Sequence, residues 1–414
     1  MNYPESVRFL YALGNEIKTA KFGLDRIRTA LAALGDPERA CRCVHVAGTN
    51  GKGSTSAMIE AGLRSAGERT GLYTSPHLVE PTERIRIAGT PVSAEQFTHA
   101  FETVHRVSEE LLAAGAIDLH PTYFETVTAM AFVLFRELRA ARVVLEVGLG
   151  GRLDATNVVE PELCVITPVD FDHEQFLGNT IEAIAGEKAG ILKPGVRAVF
   201  ARQRPEAEAV LVETATRLGC PYHRTADAAV SDVRVEARSS RFRIDGREVV
   251  CPLAGEHQAE NAITATVALH QLGVPLGGIG NTVWPGRLER VASNPDIILD
   301  GAHNPAGARA LAAYIRRFFG DRRVWIVYGS MRDKAVEEIT GTLFPLASEI
   351  VVTAPRFARA LRPEAVRGMW PGARVTDTLD SALDIVRAEA NPSDVVFITG
   401  SLFVVGEARA LLVQ

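Results

Sequence analysis

Short, uninterrupted apolar runs alternate along this chain with stretches in which apolar residues recur every three or four positions. The runs CVHVA (43–47), RVVLEV (142–147), LCVITPV (163–169) and VRAVF (196–200) lack the in-out alternation of a half-exposed strand, and so predict strands buried on both faces of a parallel sheet. STSAMIEAGLRSA (54–66) follows the first run after a glycine-rich turn and predicts a helix, with Ser54 as its N-cap and Gly67 as its stop. Around 229–250 the period falls to two, and Asp245-Gly246 marks a hairpin turn in what reads as an antiparallel flap. HQAENAITATVALHQLG (257–273) predicts another helix. NTVWPGRLERVASNPD (281–296) carries two prolines, a glycine and little periodicity, and reads as a linker. The strand and helix rhythm then restarts in DIILDGAHNPAGARALAAYIRRF, VWIVYGS, EIVVTA and DVVFITGS. The expected fold is therefore α/β: a P-loop-containing, mostly parallel sheet domain over 1–285, followed by a smaller Rossmann-like α/β domain over 286–414.

Length agrees with two domains, since 414 residues exceed the roughly 250–300 at which single cores stop growing. With 47% hydrophobic and 23% charged residues and a net charge of -5, the chain offers no broad basic surface for nucleic acid. Cys41, Cys43, Cys164, Cys220 and Cys251 show no C-x-x-C spacing, which argues against a zinc or disulfide framework and for a reducing compartment. Glu5 and Arg8 interrupt the apolar core that a signal peptide would need, and no uncharged run reaches membrane-spanning length. A cytoplasmic monomer without nucleic-acid or membrane partners is the expectation.

The chemistry begins in VHVAGTNGKGST (44–55), where an apolar run ends in glycines, a lysine and hydroxyl side chains. Glycines let backbone N–H groups turn in around an anion while a lysine supplies a point charge, so the loop reads as a phosphate cradle. It departs from the common P-loop: Val46 stands where that pattern has its first glycine, Gly48 comes later, and Gly53 separates Lys52 from Ser54. Glu146, at the carboxyl end of a predicted strand and followed by GLGGR, lies where open α/β sheets place ligands and could hold Mg²⁺ on ATP. The next strand leads to His173, flanked by Asp170 and Asp172. Lys188 in GEKAGILKPG reads by itself as a solvated helix lysine, although its apolar surroundings could draw it toward a metal. In the second domain Asp300, beside His303, again ends a strand, and the acids in both halves predict two half-sites facing a cleft.

Taken in order, FGLDRIRTALAALGDP (22–37), VAGTNGKGS, TSPHLVEPTERIRI, TYFETVTAMAF, EVGLGGRLDATN, DHEQFLGNTIEAIAGEKAGILK, GEHQAENA, WPGRLE, DGAHNP and ITGSLFVVGEAR resemble the folylpolyglutamate synthase/dihydrofolate synthase family of the Mur ligase superfamily over nearly the whole chain. The resemblance implies ATP-dependent ligation of L-glutamate to a folate, and to dihydropteroate, through an acyl phosphate. It also implies site residues. Asn50, Gly51, Lys52, Gly53 and Ser54 would wrap the phosphates, and Ser75, Glu146 and His173 would ligate Mg²⁺. Lys188 would be carbamylated. Asn261 would contact the nucleotide, Arg287 the γ-phosphate, and Asp300 with His303 the nucleotide from the second domain. Lys52, His173, Lys188 and Arg287 would carry the catalysis. Thr122, Tyr123, Phe124, Leu153, Asp154 and Ala155 would face the pterin. KTAKFGLDRI puts Lys21 where bifunctional relatives of the enterobacterial type carry a pterin-contacting acid, which favours a folate already bearing glutamate carboxylates. Two other readings stand beside this one: a Mur-type ligase acting on a UDP-muramyl peptide or other carboxylate, and a P-loop nucleotide switch without ligase activity.

Overall fold

The computed structural model describes residues 1–14 and 23–413; Lys21 lies outside the described residues. Its contacts divide the chain into two compact units, one comprising 1–229 and 260–281 and the other 230–259 and 282–414. The boundary at 285 read from the sequence kept the segment 230–259 with the first domain. In the structure, hydrogen bonds fasten that segment to the second unit: the Tyr314 hydroxyl donates to the Ala237 carbonyl at 2.7 Å and Arg317 Nη2 to the Val235 carbonyl at 3.2 Å.

The first unit is built on β1 (Arg42–Ala47), β2 (Thr70–Tyr73), β3 (Ile85–Ile87), β4 (Thr90–Pro91), β5 (Arg142–Glu146), β6 (Leu163–Ile166), β7 (Arg197–Phe200) and β8 (Tyr222–Arg224), in the spatial order β4-β3-β2-β5-β1-β6-β7-β8. From β2 to β8 every pairing is parallel, while β3 and β4 add antiparallel partners at one edge. The central strands are buried along almost their full length, as continuous Val/Ile/Leu runs require. On one face, Phe97, Phe101 and Val104 of the helix Ala94–Ala113 pack with Phe132 and Phe135 of the helix Tyr123–Glu137. On the other face, Ile181 and Ile184 of the helix Ile181–Ala189 join Ile166, Phe200 and Leu211. Both long helices on the first face start in capping boxes, Ser93 with Gln96 and Thr122 with Glu125.

The predicted helix at 54–66 begins two residues earlier than its hydroxyl suggested, spanning Lys52–Ser65. Gly51, at φ +83°, turns the chain into the helix directly, so Ser54 is buried inside the first turns and caps nothing. Gly67, at φ +88°, follows the C-cap as expected.

In the second unit β9 (Val230–Val235), β10 (Ser240–Ile244) and β11 (Arg247–Cys251) form the antiparallel flap, with Asp245 and Gly246 at φ +49° and +74° closing a two-residue hairpin. Alternation is explicit here: Phe242 and Ile244 are buried while Arg241 and Arg243 face out. A six-stranded sheet follows, from β12 (Glu289–Ala292), β13 (Asp296–Leu299), β14 (Val324–Tyr328), β15 (Glu349–Val352), β16 (Arg374–Val375) and β17 (Val395–Thr399), in the order β12-β13-β17-β14-β15-β16. The segment 281–296 is more than a linker, because its second half supplies β12, an edge strand antiparallel to β13. The prolines that suggested irregularity flank this strand at 285 and 295 rather than interrupting it.

Candidate functional site

Adjacent parallel strands β2, β5, β1 and β6 release their carboxyl ends side by side, so the segments after them converge on one edge of the first sheet. Glu146 ends β5, the loop beginning at Gly48 follows β1, Ser75 lies just beyond β2, and Asp170 and His173 follow β6. This is where an open α/β sheet presents ligand-binding groups.

The loop after β1 is fixed to its neighbours. Thr49 Oγ1 donates to the Asp170 carbonyl at 2.9 Å, and the Thr49 amide reaches the Pro168 carbonyl at 2.9 Å. A side chain at Gly48, whose φ is +144°, would drive into Thr167 Oγ1, and one at Gly51 into Asn261 Oδ1, so close approach demands glycine at both. Asn261 thereby sits against the loop, while Gly53 and Ser54 lie in the first turns of the helix it opens. Lys52 Nζ donates back to the Gly48 and Thr49 carbonyls at 3.1 and 3.0 Å.

Lys188 overturns the solvated-lysine reading. It is 3% exposed, and its Nζ donates to the same Gly48 carbonyl at 3.0 Å. Burial, followed by the neighbouring Lys52 charge, lowers its pKa from the usual lysine range to about 7. A lysine in that state is an amine nucleophile at neutral pH, the form that captures CO₂ as a carbamate. The chain packs tightly enough for this because Gly151 has no Cβ: one would meet the Glu187 carbonyl at 2.6 Å.

Glu146 is 5% exposed, and its Oε2 accepts the Ser75 amide at 3.0 Å. His173, at φ +53°, precedes a short helix and lies 3.8 Å from Asp172 Oδ1. The Ser75 hydroxyl, the Glu146 carboxylate and the His173 imidazole, each carried just past or at the end of a neighbouring strand, are donor types, mostly oxygen, that suit Mg²⁺ coordinated by few protein ligands, and a carbamate on Lys188 would add a further anionic oxygen. These residues fit the ion.

Beyond Glu146, Asp154 organises the glycine loop. Its Oδ2 accepts the amides of Gly148 and Leu149 at 3.0 and 2.9 Å, and its Oδ1 accepts the Thr156 amide at 3.0 Å. Burial raises its pKa while these hydrogen bonds oppose the rise. Gly148 lies under the Phe124 ring, where a Cβ would approach Cζ to 2.5 Å, and Ala155 packs in the same core, whereas Leu153 is half-buried on the loop. Thr122 caps its helix, and Tyr123 stacks on Tyr11 with ring centroids 5.6 Å apart. Sequence reasoning singled out neither Arg84 nor His77. Arg84 lies 5.1 Å above the Tyr123 ring and donates through Nε to His77 Nδ1 at 2.9 Å. His77 is neutral, its pKa pushed down to about 3 by burial and then by Arg84. Both residues lie in TSPHLVEPTERIRI, Arg84 at the end of a short 3-10 turn that leads into β3, and nothing in the local pattern marks their burial.

In the second unit Arg287, Asp300 and His303 come together around Gly301. A Cβ on Gly301 would lie 2.3 Å from Arg287 Nη1, and His303 Nδ1 is 2.8 Å from the Gly301 carbonyl. Asp300 is buried, with Oδ2 accepting the Leu288 amide and Oδ1 the Ala302 amide, each at 3.0 Å. Burial raises its pKa and Arg287 opposes the rise. His257, unremarked in the sequence, is also neutral here, its pKa lowered to about 4 by burial and by Arg287.

Residues 46–269 match the Mur ligase middle domain family, and 286–402 match the Mur ligase glutamate ligase domain. Over 415 residues the chain is 35% identical to a dihydrofolate synthase/folylpolyglutamate synthase of Bacillus subtilis, covering 95% of each chain. Among solved structures, a Mycobacterium tuberculosis folylpolyglutamate synthase complexed with ADP and AMPPCP is 33% identical with a TM-score of 0.92, covering 100% of this chain and 99% of the other. Escherichia coli FolC in complex with DHPP and ADP is 30% identical with a TM-score of 0.88, covering 99% and 97% of the two chains.

Proposed function

The chain belongs to the folylpolyglutamate synthase/dihydrofolate synthase family of the Mur ligase superfamily, and from that premise we propose how its own residues join L-glutamate to a folate at the expense of ATP. The enzyme is an ATP-dependent amino-acid ligase. The observation that carries the residue-level reading is the convergence of the Lys52 and Lys188 side-chain nitrogens on one carbonyl at a glycine loop, which sets a phosphate-directed charge, Lys52, beside a buried amine open to carbamylation.

On this reading Asn50, Gly51, Lys52, Gly53 and Ser54 bind the phosphates, and Asn261 holds the nucleotide against Gly51. Lys52 exchanges its loop carbonyls for phosphate oxygens when ATP enters. Ser75, Glu146 and His173, with a carbamate on Lys188, would hold Mg²⁺, which when bound offsets phosphate charge. A folate carboxylate, itself a poor acyl donor, attacks the γ-phosphorus; the bond from γ-phosphorus to the bridging oxygen breaks, ADP leaves, and an acyl phosphate remains. The glutamate amine attacks the acyl carbon, loses a proton and expels phosphate, forming the amide. Lys52 and Arg287 stabilise charge on the transferred phosphoryl group, and Asp300 and His303 position the Arg287 segment toward nucleotide. Thr122, Tyr123 and Phe124 with Leu153, Asp154 and Ala155 shape the pterin side, with Asp154 acting by holding the loop.

The domain roles follow the two units, with the first binding ATP and the second completing the ligase, and the protein acts as a monomer in the cytoplasm. Five free cysteines, four of them buried, support a reducing compartment. Among the described residues no helix is long and apolar enough to cross a membrane. The substrates are a folate and, as a second acceptor of glutamate, dihydropteroate. The test is ADP release and product mass with tetrahydrofolate or dihydropteroate, each with and without L-glutamate. The proposal expects ADP and a product one glutamate heavier only when both substrates are present; ADP release indifferent to glutamate would return the chain to the nucleotide-switch reading.

A further inference from the structure

Outside the nucleotide edge, a second cluster of ligating groups lies on the first unit. His105 and Glu109 are one helical turn apart on the helix Ala94–Ala113, and His120 comes from the segment that runs from this helix to the helix Tyr123–Glu137. Among the described residues, these are the one group of three or more His, Cys, Asp or Glu side chains whose ligand atoms all fall within 4.8 Å of one another. Glu109 Oε1 is 3.8 Å from His105 Nδ1 and 3.9 Å from His120 Nε2.

Two further observations make this more than a charge cluster. His105 Nδ1 and His120 Nε2 are both buried from solvent without a hydrogen-bond partner, an arrangement folded proteins avoid unless something else satisfies the atoms. His120 Nδ1 lies 2.9 Å from the Pro121 carbonyl, which accepts only, so Nδ1 carries the proton and Nε2 presents its lone pair to the cluster. A backbone carbonyl holding the far nitrogen of an imidazole is the outer-sphere arrangement that orients metal-bound histidines. The rings are clamped: His105 stacks on Phe101 with centroids 5.4 Å apart, and Phe9 packs against both histidines. Burial holds the His105 imidazole below its ordinary pKa, which keeps its lone pair available at neutral pH.

We propose that His105, Glu109 and His120 form a binding site for a divalent transition-metal ion of the zinc class. Two imidazoles and a carboxylate match the ligands of three-coordinate protein zinc sites, in which water takes the fourth position. Tetrahedral bonds of about 2.0–2.2 Å bring ligand atoms to within roughly 3.4 Å of each other, so the two pairs that Glu109 makes, at 3.8 and 3.9 Å, need contract by only about half an ångström, and the two imidazole nitrogens close in from within 4.8 Å. Glu109, with a side chain 57% exposed, can make that adjustment. The ion would tie the long helix to the segment that delivers Thr122, the cap of the next helix, and so acts as a brace rather than as part of the ligation chemistry.

The experiment titrates Zn²⁺ alone into the full-length, chelator-stripped protein held in saturating Mg²⁺, by calorimetry and by thermal shift. Wild type takes up one equivalent and gains thermal stability. Glu109→Gln, an exposed change that leaves the core alone, and His120→Asn both weaken binding by more than the roughly 10–100-fold that loss of an outer-sphere partner costs. They also lose the thermal gain, while glutamate-dependent ADP release in Zn²⁺-free buffer stays at the wild-type level. Uptake and thermal gain undiminished in Glu109→Gln and His120→Asn would overturn the site, as would absence of Zn²⁺ uptake by wild type.

Discussion

The two units carry comparable architecture, parallel strands with ligand-facing loops at their carboxyl ends, but opposite charge economies. In the first, Lys52 and Lys188 crowd one carbonyl, and the resulting repulsion adds to burial in lowering Lys188. In the second, burial raises the Asp300 pKa and Arg287 opposes the rise, and His257 nearby remains neutral. The first edge therefore gathers two basic side chains at one loop carbonyl, with Glu146 and Asp172 on the same edge, while the second sets one guanidinium near one buried carboxylate. A loop that turns basic side chains and backbone amides onto one point gains most from a polyphosphate, whereas a guanidinium set near a carboxylate is positioned without demanding a ligand.

The largest break in this comparison comes from Lys52→Ala. It should lower turnover by at least about 10²–10³-fold, the scale of removing one preorganised stabilising group, while thermal melting stays near wild type because no core packing is lost. Relieved of Lys52, Lys188 should also titrate higher, readable as a shifted pH dependence of its reaction with an amine-selective reagent. Next in size, Arg287→Ala should reduce kcat by about 10²-fold with an unchanged melting curve, as expected for a charge used in the transition state rather than in folding.

Asp154→Asn and Asp300→Asn test the feature both units share. Each carboxylate accepts backbone amides on both oxygens, and an asparagine turns an NH₂ toward an N–H donor. We expect losses of about 1–3 kcal/mol in denaturant unfolding for each. Stabilities equal to wild type would remove these acids from the scaffold.

The smallest effect appears only in acid. His45 is fully buried, hydrogen-bonded to Thr156 Oγ1 at 2.8 Å, and its pKa is lowered from 6.5 to about 3. The unfolded chain thus binds a proton that the folded chain refuses, so this contribution is complete above the unfolded pKa and is lost as pH falls from about 6.5 toward 3. The loss reaches about 2 kcal/mol near pH 5, and a His45→Gln variant should show a correspondingly shallower decline between neutral and acid unfolding curves.

Strand existence was legible because parallel strands buried on both faces are spelled as continuous apolar runs, and 43–47, 142–147, 163–169 and 196–200 each hold an observed strand. Their ends were less so, since the run 163–169 carries on through Thr167, Pro168 and Val169 past the last ladder pair at Ile166. β12 escaped notice because an edge strand takes its stability from one neighbour and needs little periodicity of its own. At the site, the glycine loop and the strand-end acids announced themselves by residue type. The burial of Lys188 did not, because it depends on Gly48 and Gly151 approaching from segments far along the chain, and local pattern carries no record of that. His257, Arg84 and His77 were invisible for the same reason: their neutrality or burial is a property of packing.

The measurement closest to the central claim is calorimetric titration of AMPPCP into wild type, Lys52→Ala and Arg287→Ala. If the glycine loop of the first unit is the phosphate cradle, Lys52→Ala should lose nucleotide affinity by roughly tenfold or more, equivalent to at least about 1.4 kcal/mol, while Arg287→Ala binds within a few-fold of wild type despite its impaired turnover. Equal losses in the two variants, or a larger loss for Arg287→Ala, would contradict the account.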